Sequence, residues 1–218
     1  MKIQIRNNNN FKHKILLAKY IKLNILYDIY KKMNLLFCFS TLALLLSSTS
    51  TVWSSDYKYV PELDLTQYDG FWYEVYSDAF DQTFQRGGSC VTADYTLLEN
   101  GTVDVLNKEI YLNGTETSIA GTAYYDNGNS GGELTVELDG TPAPAPYWVV
   151  ELGPIVNDDY DYAIVSDNLR ISLFVLARDI DRFFELYDED VLDSVEEMGF
   201  TRKYNSPIVV NQTYCEYR

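Results

Sequence analysis

Two glutamates, Glu74 and Glu109, are the side chains of this sequence best suited to acid–base chemistry. After residue 55 the chain has no histidine, and its only cysteines are Cys90 and Cys215. These absences exclude a Ser-His-Asp or Cys-His arrangement and a histidine-ligated haem or zinc site in that part of the chain. Burial would raise the pKa of either carboxyl group toward the range of a general acid or base. The alternative role of each carboxylate is to orient a ligand, which we favour, and we predict no catalytic residue.

Runs of acidic residues at 158–159 and 188–190 offer oxygen ligands for calcium. Neither run has the regular spacing of a calcium-binding loop. We interpret them as solvated charges in a loop and at the start of a helix. The sequence therefore predicts neither a metal site nor a cofactor.

The first 55 residues have the layout of a targeting region. Residues 1–32 form an upstream extension rich in Lys, Asn and Ile, and residues 33–55 read as a secretory signal peptide with an apolar core at 35–46. A membrane span needs roughly 20 apolar residues, which is more than this core contains. We predict cleavage before a domain at 56–218, no stable membrane insertion, and secretion or residence in the lumen of the secretory pathway.

The charge of the chain excludes some partners. Eight of the 17 basic residues but only one of the 32 acidic residues precede Asp56, which leaves a formal charge of −22 on the remainder. Such a surface repels nucleic acid and anionic lipid headgroups, and it favours solubility. The oligomeric state is left open.

Cysteine usage and glycosylation motifs fit an oxidising compartment. Cys90 and Cys215 form an even pair that such a compartment would join. Three Asn-X-Thr triplets, which begin at Asn100, Asn113 and Asn211, predict sites for N-linked glycans.

Short alternating runs separated by turn residues predict an antiparallel, all-β domain with eight strands. Asn-Gly pairs at 100–101, 113–114 and 127–128 suit tight hairpin turns. One later segment, 185–200, has the apolar spacing of a helix that ends at Gly199, and residues 207–212 offer one more short strand. The strands are predicted at 70–77, 90–98, 102–111, 116–125, 133–139, 147–152, 160–166 and 171–177.

Eight up-and-down strands in about 160 residues are enough for one closed barrel, with the helix packed outside it. Such a barrel encloses either a packed core or a cavity for one small ligand. Alternation places Val91, Ala93, Tyr95 and Leu97 on one face of the second strand. The same argument groups Val103, Val105, Asn107, Glu109 and Tyr111 on the third strand, and Ser172, Phe174 and Leu176 on the last. These faces mix apolar and polar groups, as a selective pocket does.

Five segments carry a resemblance to a known family. They are GFWYEV from Gly70, CVTADYTLLENGTVDVLNKE from Cys90, PYWVVELG from Pro146, DYAIVS from Asp161 and LFVLARD from Leu173. The first resembles the G-x-W signature of lipocalins. All five, in this order, are similar to segments of the apolipoprotein D and bacterial outer-membrane lipocalin branch. The resemblance covers roughly 63–215, nearly all of the predicted domain.

The resemblance implies structural roles for five residues. In lipocalins the tryptophan of the signature, here Trp72 after Gly70, closes the bottom of the barrel. An arginine at the end of the last strand, here Arg178, packs across its ring. Cys90 and Cys215 match a disulfide of the apolipoprotein D pattern, although this sequence lacks the second cysteine pair of that pattern.

The resemblance also implies a ligand pocket and a function. Tyr95, Asn107, Glu109 and Phe174 match places that line the cavity in apolipoprotein D-like lipocalins. Tyr111 and Tyr147 share alternating strand faces with aliphatic residues and complete the set of six predicted binding residues. Tyr111 departs from apolipoprotein D, where this position is basic, so we predict neutral ligands such as sterols, retinoids, carotenoids or alcohols rather than fatty acids. The first hypothesis is a secreted carrier of a small hydrophobic molecule. The alternatives are a lipocalin-fold enzyme that uses a cavity carboxylate and an extracellular interaction protein with a filled barrel.

Overall fold

Eight antiparallel strands form the barrel of this protein. The computed structural model describes residues 57–79, 88–111, 113–126 and 130–217, so the upstream extension and the predicted signal peptide lie outside the described residues. All strands and helices of the described residues belong to one compact unit, which consists of Tyr57–Asp139 and Pro144–Arg218. The barrel strands are β1 (Gly70–Asp78), β2 (Ser89–Leu97), β3 (Val103–Ile110), β4 (Glu116–Tyr124), β5 (Glu133–Leu138), β6 (Ala145–Leu152), β9 (Tyr162–Ser166) and β10 (Leu173–Ala177).

The sheet closes because its last strand pairs with its first. Each barrel strand pairs with the next along the chain, and β10 pairs with β1 through Tyr73 and Ala177. This topology confirms the predicted up-and-down barrel, and every strand lies within two residues of its predicted ends. Two of the three predicted Asn-Gly turns act as expected, because Gly101 and Gly114 have φ values of 84° and 75°, and the third, at 127–128, lies outside the described residues. Glycine adopts this left-handed conformation without a Cβ clash.

Two short strands and a short helix were not predicted. The hairpin β7 (Ile155–Val156) and β8 (Asp159–Tyr160) turns through Asn157 and Asp158, whose φ values are 53° and 74°. Helix α1 (Leu65–Tyr68) begins after Asp64, whose side chain accepts a hydrogen bond from the backbone N–H of Thr66. Strand β11 (Pro207–Val209) pairs with β1, as the run at 207–212 suggested.

The single helix predicted at 185–200 is wrong in its bounds and in number. Two helices occupy this region, α2 (Ile180–Leu186) and α3 (Asp188–Glu197), and they meet at Tyr187. Helix α2 begins earlier because Asp179 caps it by accepting a hydrogen bond from the backbone N–H of Arg182. Gly199, with φ of 91°, lies just after the second helix, where the sequence predicted the stop. None of the helices in the described part of the chain is long and apolar enough to cross a membrane.

Strands β9 and β10 have apolar side chains on both faces, and each face belongs to a different core. Ala163, Val165 and Leu176 point into the barrel and pack in its inner cluster. Ile164 and Val175 point outward, into a second cluster with side chains of α2 and α3. The helices therefore cover the outside of the barrel, as the sequence predicted.

A partly buried ion pair links α2 to the residue that precedes β9. The guanidinium of Arg182 donates two hydrogen bonds to the carboxylate of Asp161, one of them from Nε to Oδ2 at 2.7 Å. Asp161 is only 3% exposed. These hydrogen bonds hold the pKa of Asp161 below its ordinary value, because they stabilise the ionised carboxylate.

We expect Asp161→Asn to lower the free energy of unfolding by about 1.5–3 kcal/mol near pH 7, the range for hydrogen bonds to a charged group. The folded pKa lies below the unfolded value, so this stabilisation is present above about pH 4 and is lost as the pH falls through the folded pKa. Urea unfolding at pH 3 and pH 7 measures both effects. Asp181→Asn, in the exposed first turn of α2, is the matched control. Equal stability of Asp161→Asn and the unchanged protein at both pH values would contradict the assignment.

Candidate functional site

An indole ring and a guanidinium stack near the start of β1 and just after β10, at what we call the closed end of the barrel. Trp72 is fully buried, and Cζ of Arg178 lies 3.7 Å from the centre of its ring. Nε1 of Trp72 donates a hydrogen bond to the carbonyl of Tyr68 in α1, at 3.0 Å. The guanidinium thus stacks on the indole as a cation–π pair, and the indole is tied to the helix beneath it.

Arg178 also binds the backbone of the segment that joins α1 to β1. Its guanidinium donates hydrogen bonds to the carbonyl oxygens of Gln67, Asp69 and Phe71, at 3.2, 2.6 and 2.9 Å. Gly70 lies among these carbonyls with φ of 97°, and a Cβ there would be 3.2 Å from Nη1 of Arg178. A side chain at this position would be strained and would press on the guanidinium. The glycine is therefore required by the same arginine that covers the indole.

Three tyrosine hydroxyls meet inside the barrel, in what we call the tyrosine cluster: Tyr68, Tyr95 and Tyr147. The hydroxyl of Tyr147 lies 2.7 Å from that of Tyr68 and 3.1 Å from that of Tyr95. The rings of Tyr68 and Tyr95 stack with their centres 5.6 Å apart. Burial raises the pKa of Tyr95 to about 12 and the pKa values of the other two well above the ordinary value. All three phenols are therefore neutral at physiological pH.

Polar side chains lie on the inner face above the cluster. Asn107 is paired with Ala93 of β2, which belongs to the inner core, so Asn107 also points inward. Glu109 follows two residues later on the same face of β3 and is 8% exposed. Glu74 is paired with Leu176, another inner-core residue, and is 6% exposed. The two glutamates named as acid–base candidates therefore both face the barrel interior.

Phe174 and Ser77 form an inward-facing pair between β10 and β1. They are register partners, and Phe174 packs against the inner cluster. The Ser77 hydroxyl and Oδ1 of Asn107 are both buried without a hydrogen-bond partner in the structure. Phe174, Asn107 and Tyr147 face inward and yet are only partly buried. These three inward side chains therefore keep solvent-accessible surface, which we call the uncovered interior surface.

The structure brings five of the six predicted ligand residues onto the inner face: Tyr95, Asn107, Glu109, Tyr147 and Phe174. Tyr111 lies one residue beyond β3, where its backbone N–H donates to the carbonyl of Thr115 at 3.0 Å. Its place in the pocket stays a prediction. Tyr68 was not predicted, because it belongs to α1 and no strand periodicity marks it.

The C-terminal tail is attached where β1 and β2 separate. Cys90 and Cys215 are joined by a disulfide, with their Cα atoms 5.5 Å apart. Nε2 of Gln212 donates to the carbonyls of Glu74 and Val91, both at 2.8 Å. This amide replaces ladder hydrogen bonds between the two strands, since their direct pairing ends at Tyr73. Sequence reasoning missed Gln212, and no pattern in the tail distinguishes it from a solvated glutamine.

The three predicted glycosylation sites are exposed. Asn100 and Asn113 lie in hairpin turns, and Asn211 lies in the tail. The side-chain oxygen of each accepts a hydrogen bond from the backbone N–H of the threonine two residues later, at 2.9–3.0 Å. Glycosylation at these sites stays a prediction.

A groove of about 520 Å³ lies outside the barrel, between β1, α2 and the tail. Tyr73, Ile180 and Phe184 supply apolar surface to its wall, together with Val210 and Gln212 of the tail. None of the six predicted ligand residues lines it. The groove is therefore separate from the candidate site inside the barrel.

Known proteins resemble this chain in sequence. Apolipoprotein D of Mus musculus is 35% identical over 102 residues, which cover 47% of this chain and 50% of that protein. The match therefore spans only half the length of the mouse relative. Apolipoprotein D of Bos taurus is 32% identical over 157 residues, which cover 66% of this chain and 79% of the relative. Outer membrane lipoprotein Blc of Vibrio cholerae is 35% identical over 145 residues, or 63% of this chain and 81% of the relative.

Solved structures and a family model complete the comparison. Lobster apocrustacyanin A1 superimposes with a TM-score of 0.49 at 15% identity, over 71% of this chain and 91% of that chain. The model of the lipocalin-like domain matches residues 63–206, which span the barrel and both outer helices. Members of this family typically bind small hydrophobic ligands. The chain belongs to the lipocalin-like family.

Proposed function

We propose that the protein is a secreted carrier that binds a neutral, small hydrophobic molecule inside its barrel. The observation that supports this most is the chemistry of the inner face. Its polar groups are neutral phenols, Asn107, Ser77 and two buried glutamates, and the inward positions of the described strand residues include no lysine or arginine. The predicted signal peptide and the disulfide favour secretion.

The absence of an inward cation on the described strands disfavours a negatively charged ligand. A carboxylate buried in the barrel would lose its hydration, and no cation on these strands would compensate for that loss. Where Glu74 and Glu109 are ionised, they would repel it further. A neutral ligand avoids both costs, which is why we favour sterols, retinoids, carotenoids or alcohols over fatty acids.

Fluorescence titration tests the proposal. Retinol and a fatty acid of similar length are titrated at neutral pH, and quenching of tyrosine and tryptophan emission reports binding. We expect retinol to bind at least about tenfold more tightly, because each factor of ten is 1.4 kcal/mol and an unpaired buried charge costs more than this. Tighter binding of the fatty acid would refute the neutral-ligand assignment.

Phe174→Ala locates the bound ligand. Phe174 faces the interior, so we expect its truncation to weaken retinol binding by about tenfold through lost apolar contact. Phe71→Ala is the matched control, because Phe71 packs against Tyr73 and Tyr217 on the outer face. Retinol affinity unaffected by Phe174→Ala would place the ligand outside the barrel.

The second candidate is an extracellular interaction protein with a filled barrel. The tyrosine cluster and Trp72 favour it, because their stacked rings occupy the closed end of the barrel. Native mass spectrometry of protein from its own source distinguishes the two. A co-purifying small molecule supports the carrier, and a ligand-free barrel that also fails to bind retinol supports the interaction protein.

A further inference from the structure

The tyrosine cluster holds one more hydroxyl proton than it has hydrogen bonds. Its three hydroxyls carry three protons, but only two hydrogen bonds join them, both through Tyr147. No other hydrogen bond engages these hydroxyls in the described part of the chain. Each bond uses one proton, so one O–H of the cluster has no acceptor among the three hydroxyls, whichever way the bonds are directed.

Burial makes this spare proton significant. Tyr68 and Tyr95 are 4% and 6% exposed, so bulk water has little access to these two side chains. A buried donor without an acceptor destabilises a protein, and such donors normally find a partner in water, protein or ligand. The raised pKa values of all three phenols prevent the cluster from losing the proton by ionisation.

We propose that the tyrosine cluster is the head-group subsite of the barrel and donates its spare proton to an uncharged oxygen acceptor, such as a carbonyl, on the bound molecule. This inference rests on the carrier function proposed above and specifies its ligand class. The bound molecule lies with its oxygen toward the closed end, above Trp72, and its apolar part toward Phe174 and the opposite end. Tyr147, which is only partly buried, connects the cluster to the uncovered interior surface.

The proton count makes an unusual prediction for tyrosine variants. A chain of hydroxyls always holds one more proton than it has internal hydrogen bonds. Tyr68→Phe or Tyr95→Phe therefore leaves two hydroxyls, one hydrogen bond and still one spare proton. Only replacement of all three tyrosines by phenylalanine removes the donor entirely, while it keeps the rings that fill this end of the barrel.

The test compares two probes that differ only in the head group. Retinal has a carbonyl oxygen, and axerophthene is the hydrocarbon with the same ring and polyene but a terminal methyl group. We expect retinal to bind at least about fivefold more tightly, which corresponds to one net hydrogen bond of about 1 kcal/mol. Infrared spectra of bound, carbon-13-labelled retinal should show the carbonyl stretch at a lower wavenumber than in hexane.

Variants assign the effect to the cluster. We expect Tyr68→Phe and the outer-face control Tyr73→Phe to keep the preference for retinal, and the triple phenylalanine variant to reduce the ratio of affinities to about one. Equal affinities for the two probes with an unshifted carbonyl band in the unaltered protein would overturn the inference and leave the carrier function intact. Failure of both probes to bind would overturn the carrier function together with the inference. The infrared measurement needs no variant, so it decides even if the triple variant does not fold.

Discussion

Replacement of Trp72 by alanine should lower the free energy of unfolding by about 3–5 kcal/mol, the usual cost of truncating a buried aromatic side chain. The indole is fully buried at the closed end, where Tyr68 and Arg178 both contact it. Its loss opens a cavity and leaves the guanidinium of Arg178 without the ring on which it stacks. Urea unfolding followed by circular dichroism measures the change.

A second tryptophan provides the control for this experiment. Trp148 is only partly buried and packs against Tyr57 and Tyr59 on the outside of the barrel. Trp148→Ala removes the same side chain from a site with more solvent, so we expect a smaller loss of stability. If Trp72→Ala kept the stability of the unchanged protein but lost retinol binding, Trp72 would belong to the pocket and not to the barrel floor.

Loss of the Cys90–Cys215 disulfide should have an effect of similar size. The bridge joins residues 125 positions apart. In the chain-entropy model, opening a loop of this length costs about 4–5 kcal/mol of stability, because the unfolded chain regains conformational freedom. We expect reductant to lower the urea midpoint and the melting temperature accordingly.

The double variant Cys90→Ala/Cys215→Ala separates the bridge from other effects of the reductant. It should unfold at a lower urea concentration and should not respond to reductant. The hydrogen bonds of Gln212 remain in this variant, so the tail keeps contact with β1 and β2 in the folded state. Peptide mapping of the oxidised protein that recovered both cysteines as free thiols would contradict the assignment.

The strands could be predicted closely because their signals are local. Side chains alternate with period two along a strand, and the glycines of the turns at 100–101 and 113–114 have the required positive φ. The bounds of the two helices were harder to predict, since apolar residues continue at helical spacing through 185–200. The break at Tyr187 depends on the barrel, because its ring packs against Tyr162 of β9 with the centres 5.2 Å apart.

The candidate site was predicted in part, because only its strand residues carry a local signal in the sequence. Alternation grouped Tyr95 with Ala93 on one face of β2 and Asn107 with Glu109 on one face of β3, and in the structure these two faces point into the barrel. Tyr68 and Gln212 act from a short helix and from the tail, where no period relates a residue to the strands it contacts. Their contacts span 79 and 138 positions of sequence, so local patterns do not reveal them.

The sequence by itself determined the number of barrel strands, which side chains share a face of the second, third and last of them, and the lack of histidine chemistry after residue 55. These properties follow from residue type and from the period of an extended chain. Only the tertiary structure decided which hydroxyls meet, how Arg178 reaches three carbonyls, and where the tail completes the edge of β1. Those contacts depend on the closure and curvature of the sheet, which bring together residues that are distant along the chain.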